Sequence, residues 1–286
     1  MDLQYLREHP AQLPVFIRHQ RIRETPVPGG SICAAQRLTL DDGGSVFAKS
    51  LADPPEGFFA AEAAGLRWLR AAEAVPVPEI IAELPDMLAL EWIDHGEATP
   101  KGAEELGRGL ARLHRSGAEA FGAPWPGYIG TLPLPNEPSS LPWGTWFARF
   151  RLRPFLFAST EALTTDDIAG VERVMENIAA YGGDEPPARI HGDLWPGNVL
   201  WDRRGRGWLV DPAAHGGHRE TDLALLGLWG GTPHYDRLLA AYREEWPLPE
   251  GWEERRALHR LYLMLVHTAL FGAQYRDSVR SLIRTL

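Results

Sequence analysis

The chain is poor in cysteine, in lysine and in long apolar runs. Its 286 residues include one cysteine, Cys33, which excludes an intrachain disulfide and fits a reducing compartment. Of its 29 basic residues only Lys49 and Lys101 are lysines, so a lysine kept inside an apolar segment invites a functional question. Apolar runs such as residues 261 to 266 are far too short to span a bilayer. The opening M-D-L-Q-Y-L-R-E lacks the basic region and apolar core of a secretory signal, so a cytoplasmic protein without membrane partners is expected. Positive charge is also scarce. A net charge of -9 argues against nucleic acid, whose recognition rests on neutralising phosphates.

What is present is ordinary for a globular protein: 44% hydrophobic and 23% charged residues, in a chain long enough for two lobes. The chemistry concentrates in residues 191 to 211, H-G-D-L-W-P-G-N-V-L-W-D-R-R-G-R-G-W-L-V-D. Two short apolar runs, Val199 to Trp201 and Trp208 to Val210, flank a polar glycine-containing turn and predict a hairpin. Such a hairpin sets Asn198 at the start of one strand and Asp211 at the end of its partner. A carboxylate, a carboxamide and a second carboxylate are what metal-assisted phosphoryl transfer requires. Asn198 and Asp211 are the expected Mg²⁺ ligands, because Mg²⁺ takes oxygen donors. Asp193 is the expected base for the acceptor hydroxyl.

The first third supplies a nucleotide clamp. Gly29, Gly30 and Ser31 form a candidate phosphate loop, followed by a strand, the turn Asp41-Asp42-Gly43-Gly44 and a return strand ending in Lys49. Lys49 is expected on the α and β phosphates of ATP. Residues 58 to 70 read as a helix whose apolar stripe, Phe59, Leu66 and Leu69, also carries Glu62. A carboxylate on such a face requires a partner, and Lys49 is the candidate. Residues 86 to 93 read as a buried strand, and D-H-G-E-A-T-P-K-G after it is the best boundary in the chain.

H-G-D-x-x-x-x-N followed by a strand ending in Asp resembles the aminoglycoside phosphotransferase and protein-kinase-like superfamily. The fuller text, with W-L-V-D-P-A-A-H-G-G-H-R-E-T-D-L-A, is similar to the fructosamine kinase (ketosamine 3-kinase) family over about residues 28 to 271. The resemblance implies an α+β, two-lobed protein-kinase-like fold. A small antiparallel β lobe would occupy residues 1–93, a hinge 94–101, and a larger helical lobe 102–286. It implies that the backbone of Glu91, Trp92 and Ile93 binds adenine beside Leu90. It also implies that Asp222 braces the catalytic loop. The expected reaction is ATP- and Mg²⁺-dependent phosphorylation of a fructosamine or ribulosamine, at the 3-hydroxyl, whose phosphate is unstable and releases the amine.

Acceptor residues are expected near the catalytic loop: Trp195 to stack on a sugar, and His215 and His218 as polar contacts. His114 reads as a packing histidine, His267 as a core or rim residue, and Cys33 as an inert thiol. Two other readings stay open: a phosphotransferase for an aminoglycoside or amino alcohol, which normally wants a strongly acidic pocket, and a nucleotide-binding protein without catalysis.

Overall fold

The computed structural model describes residues 2–18, 22–28 and 32–286. Gly29, Gly30 and Ser31 lie outside them. The chain opens with helices α1 (Leu3–Glu8) and α2 (Leu13–Arg18), which bury Leu6 and Leu13 against the sheet that follows. The sheet has strands β1 (Arg23–Pro26), β2 (Ala34–Thr39), β3 (Ser45–Ser50), β4 (Ile80–Glu83) and β5 (Met87–Glu91) in the order β1-β2-β3-β5-β4. Every pairing in it is antiparallel. The turn between β2 and β3 is fixed by its own residues, since the Gly44 amide donates to Asp42 Oδ1 at 2.9 Å.

Helix α3 (Phe58–Arg70) interrupts the sheet sequence between β3 and β4. Its buried face, with Phe59, Ala63, Leu66 and Leu69, packs on Leu88 and Leu90 of β5. The same core cluster continues through Leu106, Leu110, Leu194 and Leu209, so one apolar core joins both lobes.

Helix α4 (Pro100–Arg115) starts the second lobe, capped by Thr99, whose Oγ1 accepts from the Gly102 amide at 3.0 Å. Lys101 therefore belongs to this helix rather than to the linker. The Pro- and Gly-rich stretch after it holds a small hairpin of β6 (Gly127–Ile129) and β7 (Leu132–Leu134). Helices α5 (Trp143–Phe147) and α6 (Arg153–Ala158) are joined by a widened turn that buries Arg151. In α7 (Thr165–Glu176) the cap is Thr164, whose side chain accepts from the Asp167 amide.

Two short ladders carry the catalytic segment. Strand β8 (Ala188–Ile190) pairs with β11 (His215–Gly217), and β9 (Val199–Trp201) pairs with β10 (Gly207–Leu209) as a hairpin. The remainder is helical: α8 (Arg219–Leu226), α9 (Tyr235–Glu245), α10 (Trp252–Phe271) and α11 (Arg276–Thr285). Leu258, Leu261 and Leu265 of α10 are fully buried against the aromatic core of α5 and α6, led by Trp143, Phe147 and Phe155. Among the described residues no helix is long and apolar enough to cross a membrane.

Candidate active site

Residues 191 to 198 run between β8 and β9 and are held by a buried carboxylate. Asp222, in the first turn of α8, accepts from the His191 amide at 2.8 Å and the Gly192 amide at 2.9 Å. His114 Nε2 donates to the same carboxylate at 3.2 Å, and its Nδ1 accepts from the Tyr242 hydroxyl at 2.9 Å. Burial opposes ionisation of Asp222, but the hydrogen bonds and charge around it hold its carboxyl below the usual range. Gly192 has φ +82°, and a Cβ there would fall 2.3 Å from the Ala213 carbonyl oxygen, so only glycine fits.

His191 ties this loop to the strand that presents Asp211. Its Nε2 donates to the Val210 carbonyl at 2.8 Å, which leaves Nδ1 to accept from the Asp193 amide at 3.3 Å. Burial lowers its pKa, consistent with a neutral ring in this tautomer. The next residue, Asp211, takes φ +54°, rare for a side chain with a Cβ, and its carboxylate turns into the cleft half-exposed.

From the other lobe Lys49 reaches the same place. Its ammonium lies 2.8 Å from Asp211 Oδ1 and 2.5 Å from Glu62 Oε2. Burial alone would lower the Lys49 pKa, but Asp211 and Glu62 hold it above the ordinary lysine value. Burial also raises Glu62, to about 7, against the attraction of Lys49. The carboxylate on the apolar stripe of α3 thus has the partner its position demanded.

Asp193 and Asn198 complete the set. The Asn198 amide group donates to the Asp193 carbonyl at 2.7 Å and to Asp193 Oδ2 at 3.2 Å. Among the described residues no donor reaches the Asn198 amide oxygen. Asp193 Oδ1 is buried without a hydrogen-bond partner. Burial, reinforced by the charge of Asp211, raises the Asp193 carboxyl well above the usual aspartate value. Oxygen donors from Asn198 and Asp211, beside an unpaired carboxylate oxygen, fit a hard cation such as Mg²⁺.

Asp193, Asn198, Asp211, Lys49 and Glu62 all line one cavity of about 840 Å³ between the lobes. At one end it is bounded by Leu90, Glu91, Trp92 and Ile93, and the Ile93 amide has no backbone partner among the described residues. Cys33 also lines it, half-buried, with its thiol pKa raised by burial. At the other end lie Trp195, Trp229, His267, Phe271 and Tyr275. Trp195 owes its pose to Gly197: a Cβ on that glycine would sit 2.0 Å from the indole.

His215 and His218 do not face the cavity. Each is only 1% exposed. His215 Nδ1 donates to the Ala213 carbonyl at 2.7 Å, and its Nε2 accepts from Arg151 at 3.3 Å. His218 Nε2 donates to the Gly183 carbonyl at 2.7 Å, while its Nδ1 caps α8 through the Glu220 amide at 3.2 Å. Placing either on the acceptor is corrected by this burial: strand β11 and the start of α8 run inside the lobe, under α5 and α10.

Among the described residues one cluster, His218, Glu220 and His259, brings its side-chain donors close enough to share an ion. Glu220 there is already neutralised by the Arg255 guanidinium at 2.7 and 2.8 Å, so a cation is in place.

The sequence reading did not single out Arg151, Trp229, Phe271 or Tyr275; it took His191 only as part of the motif and His267 as a core or rim residue. A signal existed for the last group, because His267, Phe271 and Tyr275 are spaced four residues apart along one face.

A five-stranded antiparallel lobe clamped by a lysine–glutamate pair over a helical lobe bearing this loop defines a phosphotransferase of the protein-kinase-like class. Solved structures carry the same fold. An aminoglycoside phosphotransferase complexed with gentamicin superimposes with a TM-score of 0.64 at 12% identity, over 97% of this chain and 96% of that one, which speaks for fold alone. A crystal structure from Thermobifida fusca, provisionally assigned as a fructosamine-3-kinase, reaches a TM-score of 0.86 at 45% identity over 92% of both chains. The "Probable ketoamine kinase" of Thermus thermophilus is 37% identical over 256 residues, covering 87% of this chain and 88% of that protein. The chloroplastic protein-ribulosamine 3-kinase of Arabidopsis thaliana is 32% identical over 273 residues, covering 90% of this chain and 80% of that protein. The profile of the fructosamine kinase family matches residues 15–286, and the chain belongs to that family.

Proposed function

We propose that this protein transfers the γ-phosphoryl group of ATP to a hydroxyl of a ketosamine, a sugar joined to an amine, and that the 3-hydroxyl of a fructosamine or ribulosamine is the acceptor. The observation that carries the reading is the convergence of Asp193, Asn198 and Asp211 with Lys49 on one interlobe cavity. The named relatives support the acceptor class, since a ribulosamine 3-kinase is among them.

Each residue has a role set by its surroundings. The backbone of Glu91 to Ile93 holds the adenine, and Lys49 holds the α and β phosphates, kept in place by Glu62. Gly29, Gly30 and Ser31 are the phosphate loop proposed from the sequence alone. Asn198 and Asp211 hold Mg²⁺, which when bound neutralises charge on the phosphate oxygens. Asp193 orients the acceptor hydroxyl and takes its proton as the oxygen attacks phosphorus. Burial raises its carboxyl above the usual aspartate value, which strengthens it as a proton acceptor. Trp195 offers an apolar face for the sugar ring.

The cavity also weighs against a polycationic acceptor. Among the described residues its carboxylates are Glu62, Glu91, Asp193 and Asp211. Glu62 and Asp211 are paired with Lys49, Glu91 lies at the adenine end of the cavity, and Asp193 is the base. None is spare for further ammonium groups.

The testing experiment is an ATP-consumption screen across fructosamines, ribulosamines and aminoglycosides, with product analysis. Consumption coupled to a ketosamine phosphate that then releases amine is expected. Turnover with aminoglycosides alone would contradict the acceptor assignment, and failure to consume ATP with any acceptor would leave only nucleotide binding.

A further inference from the structure

Beyond the catalytic groups, the acceptor end of the cavity is walled by three segments, residues 125–130, 228–232 and 263–275, and none contains Asp, Glu, Lys or Arg. The aromatic contacts form a chain. Trp195 meets Trp229 edge-on at 5.4 Å, Trp229 meets His267 at 5.2 Å, and His267 meets Tyr275 at 5.0 Å. His267 Nδ1 donates to the Leu263 carbonyl at 2.9 Å within α10, so the ring turns its other edge to the wall.

Trp229 is the unusual member. Its backbone is left-handed, φ 49° and ψ 41°, a conformation a bulky side chain rarely adopts. It is held there by Gly230 and Gly231, both with positive φ, and by the Thr232 amide donating to the Leu226 carbonyl at 2.9 Å. The strain does not serve burial, because Trp229 remains 52% exposed at the cavity edge. An exposed, strained indole facing a cavity is placed for a ligand.

Resting on the ketosamine reading above, we propose that Trp229, with Trp195, His267 and Tyr275, forms the subsite for the amine-borne arm of the acceptor. That arm is a singly charged nitrogen carrying a hydrocarbon chain. Aromatic faces attract one ammonium and cover its methylenes without any carboxylate. A multiply charged arm would lose hydration with no counter-charge in return. A glycated lysine side chain or a glycated monoamine satisfies this chemistry, and an arm bearing several ammonium groups does not.

The test uses two ketosamines of one sugar, the 1-deoxy-1-(n-hexylamino) and 1-deoxy-1-methylamino derivatives of fructose. Their dissociation constants are measured by calorimetry with a non-hydrolysable ATP analogue, alongside KM and kcat. The wild-type protein is expected to bind the hexyl adduct roughly tenfold more tightly than the methyl adduct. Trp229→Ala should reduce that preference below about threefold, and Trp229→Phe should restore most of it. Equal weakening of both adducts in Trp229→Ala, or no arm-length preference in the wild type, would overturn the subsite. Affinity for the ATP analogue reports that each variant is folded. If neither adduct is phosphorylated the kinase acceptor assignment fails, while the affinity pattern still decides the subsite.

Discussion

Lys49 and Asp211 stand 162 residues apart in sequence, on different lobes, and their side chains meet at 2.8 Å. The contact fixes the distance between the proposed nucleotide clamp and the carboxylate proposed to hold the metal, and Glu62 on α3 pins the lysine. Lys49→Met should lower kcat/KM for ATP by roughly a hundredfold or more, since the phosphate contact is lost. It should also lower stability by about 3 kcal/mol, because Glu62 is left buried without a counter-charge. Adding Glu62→Gln should return much of the melting temperature and none of the activity. Differential scanning fluorimetry and initial rates separate the two effects.

Asp222 is the second point at which one side chain governs the loop. Asparagine cannot accept from the His191 and Gly192 amides with both ends of its side chain, so one amide loses its partner. Asp222→Asn should cost about 1 to 3 kcal/mol of stability. It should reduce kcat roughly ten- to a hundredfold and affect the KM for ATP less, because the loop it braces carries Asp193 while Lys49 and residues 91–93, the proposed ATP contacts, lie on the other lobe.

Much of this arrangement was legible in the sequence, for physical reasons that differ by element. The stripe of α3 exposed Glu62 as a carboxylate in need of a cation, and the scarcity of lysine pointed to Lys49. The two apolar runs around Arg203 to Gly207 gave the hairpin that orients Asn198 and Asp211. The buried histidines were not legible. His215 and His218 follow Asp211 in a glycine-rich stretch that reads as surface loop, yet β11 pairs with β8 inside the lobe. Their partners Arg151 and Gly183 lie 64 and 35 residues away. The aromatic wall was hidden for a similar reason. Trp229 comes from a turn and His267 from a helix, and only the tertiary fold sets them 5.2 Å apart.

Gly197 makes a narrower prediction. A methyl group there collides with the Trp195 indole at 2.0 Å, so Gly197→Ala must displace the ring. The expected result is a rise of roughly tenfold in KM for the ketosamine with the KM for ATP little changed. Steady-state kinetics with each substrate varied in turn checks it.

The pH dependence follows from Asp193. It works as a base only when deprotonated, and burial with the charge of Asp211 raises its pKa well above the usual aspartate value. Activity is therefore lost as pH falls through that raised value, and it is retained above it. The acid limb of kcat/KM should lie clearly above pH 4, higher than a solvent-exposed aspartate would place it. An acid limb at or below that point would show that Asp193 is not the titrating base.

The central claim is that Asp193 accepts the proton of the acceptor hydroxyl. The most direct measurement compares wild type and Asp193→Asn with ATP, Mg²⁺ and a fructosamine, following the ketosamine phosphate by phosphorus NMR and nucleotide binding by calorimetry. The account predicts that the variant binds ATP within a few-fold of wild type, roughly, and forms at least about a thousandfold less product. Product formation by Asp193→Asn at a rate near that of wild type would contradict it.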